Sequence, residues 1–267
     1  MGWFDVHAHL THPKLAPREA EVLANARAAG LTTIVANGLN PHDNEAVRAL
    51  AARDPLVKPA YGLYPVDAVL SEMEAMGLDY PRECPAFTRE EGVAWVRDHV
   101  EEAFAVGEIG LDGYWVPEPL WGLQEEAFRA LVATALEADK PIIIHTRKRE
   151  PRALEILVEM KATRVNWHCF GGRVKLARRI AEHGHWLSIP ANARRNEAFT
   201  RMLETLPRDK VLLETDCPYL GPDRDADNEP ANVSHTAAFA AELWGCSLDE
   251  VRARMEENFA ALFGVPP

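Results

Sequence analysis

The chain has 267 residues, 47% of them hydrophobic and 26% charged, an ordinary composition for a globular protein with room for a large core. Its net charge of −12 excludes a protein that grips duplex nucleic acid through a global positive field, so a polyanionic ligand has to be drawn by local charge or by bound metal. No apolar run approaches the roughly 20 residues of a membrane span, and no basic stretch followed by an apolar one opens the chain, so neither a membrane helix nor a signal peptide is expected.

Taken in order, β-branched and apolar runs predict strands at 3–7, 32–36, 57–62, 105–109, 141–145, 164–168, 186–189 and 211–215. Helix-like segments lie between them at 17–29, 41–53, 89–103, 122–138, 151–161, 172–182 and 196–206, and two more follow at 231–243 and 248–263. Pro17, Pro41 and Pro151 stand in first helical turns, where a missing N–H costs nothing. Gly30 and Gly184 stand where a helix end wants positive φ. The longest irregular piece, 71–88, reads as a loop over one end of the fold.

Strand–helix units in this number predict parallel strands covered on both faces. The economical α/β architecture is a closed (β/α)8 TIM barrel, one domain over 1–267; a doubly wound open sheet is the alternative. Polar residues recur at the strand tips and favour the barrel: His7, His9, Asn37, Tyr64, Glu108, His145, His168, Ser188 and Asp216. Barrel active sites lie at those C-terminal ends.

The chemistry starts at His7-Ala8-His9. Strand side chains alternate, so the two imidazoles share a face about 7 Å apart along the backbone, an arrangement that suits one divalent metal. Glu108 lies in a glycine-flanked apolar strand, where a carboxylate is costly to bury unless paired or metal-bound. Ile142-Ile143-Ile144-His145 and Val165-Asn166-Trp167-His168 each end an apolar strand in imidazole, and Glu214 and Asp216 close the eighth. Together they predict a metal site. The cysteines (84, 169, 217 and 246) are scattered with no CxxC pair, which argues for a reducing cytoplasm. Alternation turns Cys169 and Cys217 away from the metals, as small core residues; His12, His42, His99, His183, His185 and His235 are read as solvent or capping groups.

DVHAH, GEIGLD, IHTR, HCF and ETDCPYL, in that order along essentially the whole chain, resemble the TatD-type metal-dependent deoxyribonucleases, a branch of the amidohydrolase-like barrels. The resemblance implies two divalent ions (Zn, Mn or Mg) at the barrel mouth. His7, His9 and Asp216 would serve one and His145 and His168 the other, with Glu108 bridging. It further implies Asp5 as barrel support and Glu214 as a salt-bridged structural acid. Glu108 stands where many amidohydrolase-type barrels use a carboxylated lysine. Two ions about 3.5–4 Å apart suit a phosphodiester, and Asp216 suits the base that takes the proton of the attacking water.

Two positions depart from the family pattern. Tyr64 replaces the histidine of Gly-x-His-Pro, and Asp227 stands where a basic residue usually precedes Asn-x-Pro. Arg147 or Arg224 would compensate as phosphate contacts. The expected activity is therefore a cytoplasmic phosphodiester hydrolase acting on DNA, at ends or on single strands. A barrel hydrolase of another bond (ester, lactone or D-aminoacyl-tRNA) is the alternative, and a noncatalytic metal-binding barrel the remote one.

Overall fold

The computed structural model describes residues 2–82 and 84–267. Its eight strands are β1 (Trp3–Ala8), β2 (Leu31–Asn37), β3 (Val57–Tyr61), β4 (Ala105–Asp112), β5 (Ile142–Arg147), β6 (Val165–Trp167), β7 (Trp186–Ile189) and β8 (Val211–Leu213). They pair in parallel in sequence order, the TIM-barrel arrangement. The seam between β1 and the segment past β8 is joined by backbone: Asp216 N–H donates to His7 O and His9 N–H to Cys217 O, each at 3.0 Å. The residues that close the barrel are thus the ones that carry His7, His9 and Asp216.

Around the sheet run α1 (Glu19–Ala28), α2 (Pro41–Arg53), α3 (Leu70–Ala75), α4 (Arg89–His99), α5 (Trp121–Glu137), α6 (Glu150–Glu159), α7 (Val174–Glu182), α8 (Glu197–Thr205), α9 (Val233–Trp244) and α10 (Leu248–Phe263). The strands are buried on both faces, as apolar runs such as Ile142-Ile143-Ile144 require. Local chemistry fixes the helix starts. Asn40 Oδ1 accepts from the N–H groups of His42 and Asp43, and Thr88 with Glu91 and Ser247 with Glu250 form capping boxes. Gly30 and Gly184 have φ of 83° and 88°, as their positions require. α10 packs Phe259 against Phe4 with ring centroids 4.6 Å apart, and Asn258 donates to Arg208 O and Val211 O, both at 2.7 Å. The second post-barrel helix therefore braces β1 and the start of β8.

The structure differs from the sequence expectation in several places; β6 and β8 stop at Trp167 and Leu213, short of their polar residues. The irregular segment 71–88 begins inside a helix, α3, whose Met73 is buried with Val69 and Val116 in a small separate apolar cluster. The fourth helix ends at His99 and finishes in a 3-10 turn, Val100–Glu102. β4 and β5 run past their polar residues, pairing Gly110 with His145, Leu111 with Thr146 and Asp112 with Arg147. The polar residue does not end the strand because the inside of the mouth is itself polar. No helix among the described residues is long and apolar enough to cross a membrane.

Candidate metal centre

The strand ends bring His7, His9, Glu108, His145, His168 and Asp216 to one point. Glu108 stands between two histidine pairs. Its Oε2 lies 3.5 Å from Nε2 of both His7 and His9, and its Oε1 lies 3.0 Å from His145 Nδ1 and 3.1 Å from His168 Nε2. Asp216 Oδ1 lies 3.7 Å from His7 Nε2 and 3.4 Å from His9 Nε2. The His7 and His168 rings stack at 3.8 Å. Register shifts interrupt β1 between Asp5 and Ala8 and β4 between Val106 and Ile109, the stretches that hold His7 and Glu108. Such bulges re-aim side chains near functional sites.

Glycine makes the convergence possible. A Cβ on Gly62 would come within 2.3 Å of the Glu108 nitrogen, so β3 has to be bare where β4 presents its acid. Gly110 has φ of +148°, and a Cβ there would lie 1.9 Å from the His145 carbonyl oxygen. The glycines around Glu108 are steric requirements of the site.

Further groups orient the ligating atoms. Asp112 accepts the N–H groups of Tyr114 and Trp115 on Oδ1, and its Oδ2 accepts from His145 Nε2 at 3.0 Å. His9 Nδ1 donates to Asn37 O at 3.2 Å, which turns Nε2 to the centre. Asp5 Oδ1 accepts from the backbone N–H of His7 and Thr215, and its Oδ2 from the Thr215 hydroxyl, bracing β1 to the end of β8. Glu214 is a hydrogen-bonded acid more than a salt-bridged one. It accepts the Cys169 N–H at 2.8 Å and the Ser188 hydroxyl, with His168 Nδ1 3.8 Å away.

The electrostatics are divided. Burial and the charge of His168 push His7 down to about 3, although Glu108 pulls the other way. Burial also opposes charge on His9 and His145, but Asp216 and Glu108 outweigh it at His9, and Asp112 and Glu108 at His145, so both rise to about 9. Burial works to raise Glu108 and Asp216, yet the surrounding imidazoles hold both below their ordinary values. Burial pushes Asp5 up to about 7 and, with the Asp216 charge, raises Glu214 well above its usual range.

These contacts fit a divalent ion. Nε2 of His7 and Nε2 of His9 face each other at 3.2 Å, and several ligand-atom separations are too long for strong hydrogen bonds. One candidate ligand group is His7, His9 and Asp216, and another His7, Glu108 and His168, each with its atoms within 4.8 Å of one another. Mixed imidazole and carboxylate donors suit zinc, manganese or, less tightly, magnesium.

A cavity of about 640 Å³ opens onto this cluster. Tyr64 and Arg147 line it, the Tyr64 ring 5.0 Å from that of His145. Arg224 does not; it lines a neighbouring cleft with Arg194 and Asp223. Asp227 is paired with Lys14 at 2.6 Å, so its charge is compensated from the loop after β1. Cys217 is fully buried, but Cys169 lines the mouth, because its left-handed φ of 42° breaks the strand alternation that would have turned it away. His185 is neither solvent-facing nor a cap: it is buried between Trp167 Nε1 and Ala162 O. His12 joins the mouth through the Tyr219 hydroxyl, 3.0 Å away. Sequence reasoning missed Asp112, which the alternation 108, 110, 112 places on the face of Glu108. It also missed Arg82 and Tyr219, for which no periodic signal exists.

A parallel barrel with this cluster at its C-terminal mouth defines a metal-dependent hydrolase acting on ester bonds. The model of the TatD related DNase family matches residues 4–264, and the chain belongs to that family. It is 32% identical over 272 residues to the metal-dependent hydrolase YabD of Bacillus subtilis, covering 98% of this chain and 99% of that protein. It is 30% identical over 278 residues to the 3'-5' ssDNA/RNA exonuclease TatD of Enterobacter lignolyticus, with 98% and 99% covered. The crystal structure of the TatD homologue YjjV from Escherichia coli K12 superposes with a TM-score of 0.84 at 24% identity, over 99% of this chain and 98% of that one.

Proposed function

We propose that this chain hydrolyses phosphodiester bonds of DNA, at strand ends or on single strands, with two divalent ions (Zn, Mn or Mg). His7, His9 and Asp216 would hold one ion, His145 and His168 the other, and Glu108 both. The observation that carries this reading is the double-facing Glu108 carboxylate, with a histidine pair 3.0–3.5 Å from each oxygen. Bound there, such ions neutralise charge on a phosphate and make water a better nucleophile at neutral pH.

The chain's own residues do the rest. Asp216 accepts the proton of the attacking water, its carboxylate aimed by a backbone held at φ of 53° and kept ionised by the neighbouring imidazoles. Asp112 holds the proton of His145 on Nε2, so Nδ1 faces Glu108. Tyr64 and Arg147 contact substrate from the cavity wall. A mouth of about 640 Å³ suits a strand end better than a duplex, and the net charge of −12 suits a protein that does not coat duplex DNA. The single-strand exonuclease among its relatives supports the same substrate, and four free cysteines support a reducing, cytoplasmic setting.

The test is hydrolysis of end-labelled single-stranded DNA by metal-stripped protein, with Mg²⁺, Mn²⁺ or Zn²⁺ added back singly. A ladder shortening from one end, absent in Asp216→Asn, supports the reading. No cleavage with any metal, from protein that binds two ions, overturns the substrate and leaves a hydrolase of another ester.

A further inference from the structure

The mouth holds a cation that the metal site does not use. Arg82 follows α3 in the segment leading to α4, and it lines the cavity. Its guanidinium is pinned from three sides. Nη2 pairs with Asp67 Oδ1, and Cζ lies 5.5 Å from the centre of the Tyr64 ring and 5.7 Å from that of Tyr80. Asp67 has no exposed side-chain surface, whereas Arg82 keeps 25% of its side chain exposed. Asn40, which caps α2 through Oδ1, donates to Asp67 Oδ2 at 2.9 Å and fixes the acid in turn.

This is an expensive arrangement if its purpose were only to hold a loop. A buried carboxylate has to be desolvated, and an apolar pair would fill the space at lower cost. What the arrangement does achieve is a guanidinium fixed in place. Among the described residues Asp67 takes one of its donors, and the rest of the planar fork keeps the geometry for two-point bonding to phosphate oxygens. Two aromatic faces and a buried acid restrict its rotamers before any ligand arrives, so little more freedom is lost on binding.

Position agrees with this. Tyr64, under the guanidinium, has its ring 5.0 Å from that of His145. The other cations of the mouth, Arg147 and Lys148, gather over the Tyr114 ring at 3.6 and 5.0 Å, on the β5 wall. Arg82 comes instead from the connection between β3 and β4.

We propose that Arg82 takes a substrate phosphate at the metal mouth and that Asp67 is its positioning residue. The inference rests on the phosphodiester reading above and names the group that substitutes for the imidazole absent at Tyr64.

The experiment is fluorescence anisotropy of a labelled (dT)8 oligonucleotide against Mn²⁺-loaded protein at several salt concentrations. It is done in the Asp216→Asn background so that the oligonucleotide survives, with elemental analysis confirming that each protein still carries Mn²⁺ and thermal unfolding checking each variant. Arg82→Met should weaken binding at least tenfold and reduce the slope of log Kd against log salt by about 0.7, one phosphate contact on a single strand. A merely structural role would not move that slope. Arg82→Lys should restore the slope but only part of the affinity, having the charge without the fork. Asp67→Asn should weaken binding in the same direction; should it fail to fold, the Arg82 variants decide alone. Kd within twofold and an unchanged slope in folded Arg82→Met overturn the inference, even where the wild type digests DNA. No measurable binding by the parent overturns it as well. A parent that binds through Arg82, with a wild type that cuts no phosphodiester, overturns the proposed function and leaves Arg82 as a phosphate-binding group.

Discussion

Asp112 Oδ2 lies 3.0 Å from His145 Nε2, and the other nitrogen of that ring lies 3.0 Å from Glu108 Oε1. The acid decides which nitrogen carries the proton and so which one faces the centre. Its own position is set by two backbone N–H groups, those of Tyr114 and Trp115, at 2.7 and 2.8 Å. Burial works to raise Asp112, but His145 and those N–H groups more than offset it, so the carboxylate stays ionised.

Asp112→Asn separates orientation from folding. The amide oxygen still accepts both backbone N–H groups, while its nitrogen presents a donor to His145 Nε2 and favours the wrong tautomer. Metal affinity at the His145 side should fall about 10–100-fold, with Tm shifted only slightly. Isothermal titration with Mn²⁺ or Zn²⁺ beside a thermal melt checks both. An unchanged affinity would mean that Asp112 serves the turn alone.

Glu108 and His145 should differ in how many ions they cost. Glu108 faces both histidine pairs, so Glu108→Gln weakens every ligand set it shares, whereas His145→Ala removes a donor from one side only. Elemental analysis after gel filtration should give two ions per chain for the wild type, about one for His145→Ala and fewer for Glu108→Gln. Both proteins should stay folded, because these side chains line the mouth and not the apolar core. Equal losses in the two variants would refute the bridging role.

The barrel was legible because its signal is repetitive. Each strand is a short apolar run and each helix a 3.6-residue pattern, and the number of alternations leaves few architectures open. The histidines were legible for a related reason: His145 ends the apolar run Ile142-Ile143-Ile144, and His168 stands in the same place one unit later, so each needs an explanation. Arg82 was not legible. It lies in an aperiodic segment, and its place is set by Asp67, a buried residue fifteen positions away in sequence. Lys14 and Asp227 show the same limit, since a pair 213 residues apart carries no local signature. Arg224 was read as a phosphate contact compensating for Asp227, but the chain after the eighth strand turns it into a separate cleft. Cys169 was misplaced by a rule that holds for strands, since His168 already lies past the end of β6 and the next residue is left-handed.

Gly62→Ala is expected to be costly although it adds one methyl group. The new carbon would meet the Glu108 nitrogen and oxygen at 2.3 and 2.4 Å, both backbone atoms that cannot swing away. β4 would have to move, carrying Glu108 off its histidines. A destabilisation of about 3 kcal/mol or more is in the range for overpacking at a buried backbone contact. Urea unfolding measures it, and metal stoichiometry should fall with it. A loss below about 1 kcal/mol would show that β3 and β4 separate more easily than their contact implies.

His185 should make stability depend on pH. Buried, accepting from Trp167 Nε1 at 3.1 Å and donating to Ala162 O at 2.9 Å, it is held neutral, and desolvation lowers it from 6.5 to about 4. The unfolded chain takes up the proton at its ordinary value and the folded chain does not. Stability from this residue is therefore complete above about pH 6.5, is lost as pH falls, and levels off near pH 4. The full effect is of order 3 kcal/mol from the size of the shift. Asp5 and Glu214, both raised by burial, drive stability the other way as pH rises, so the readout is the difference between wild type and His185→Gln. That difference, from urea midpoints at pH 7.5 and 4.5, should shrink at the lower pH. If it stays constant, the folded and unfolded chains take up the proton over the same pH range, and burial does not hold His185 neutral.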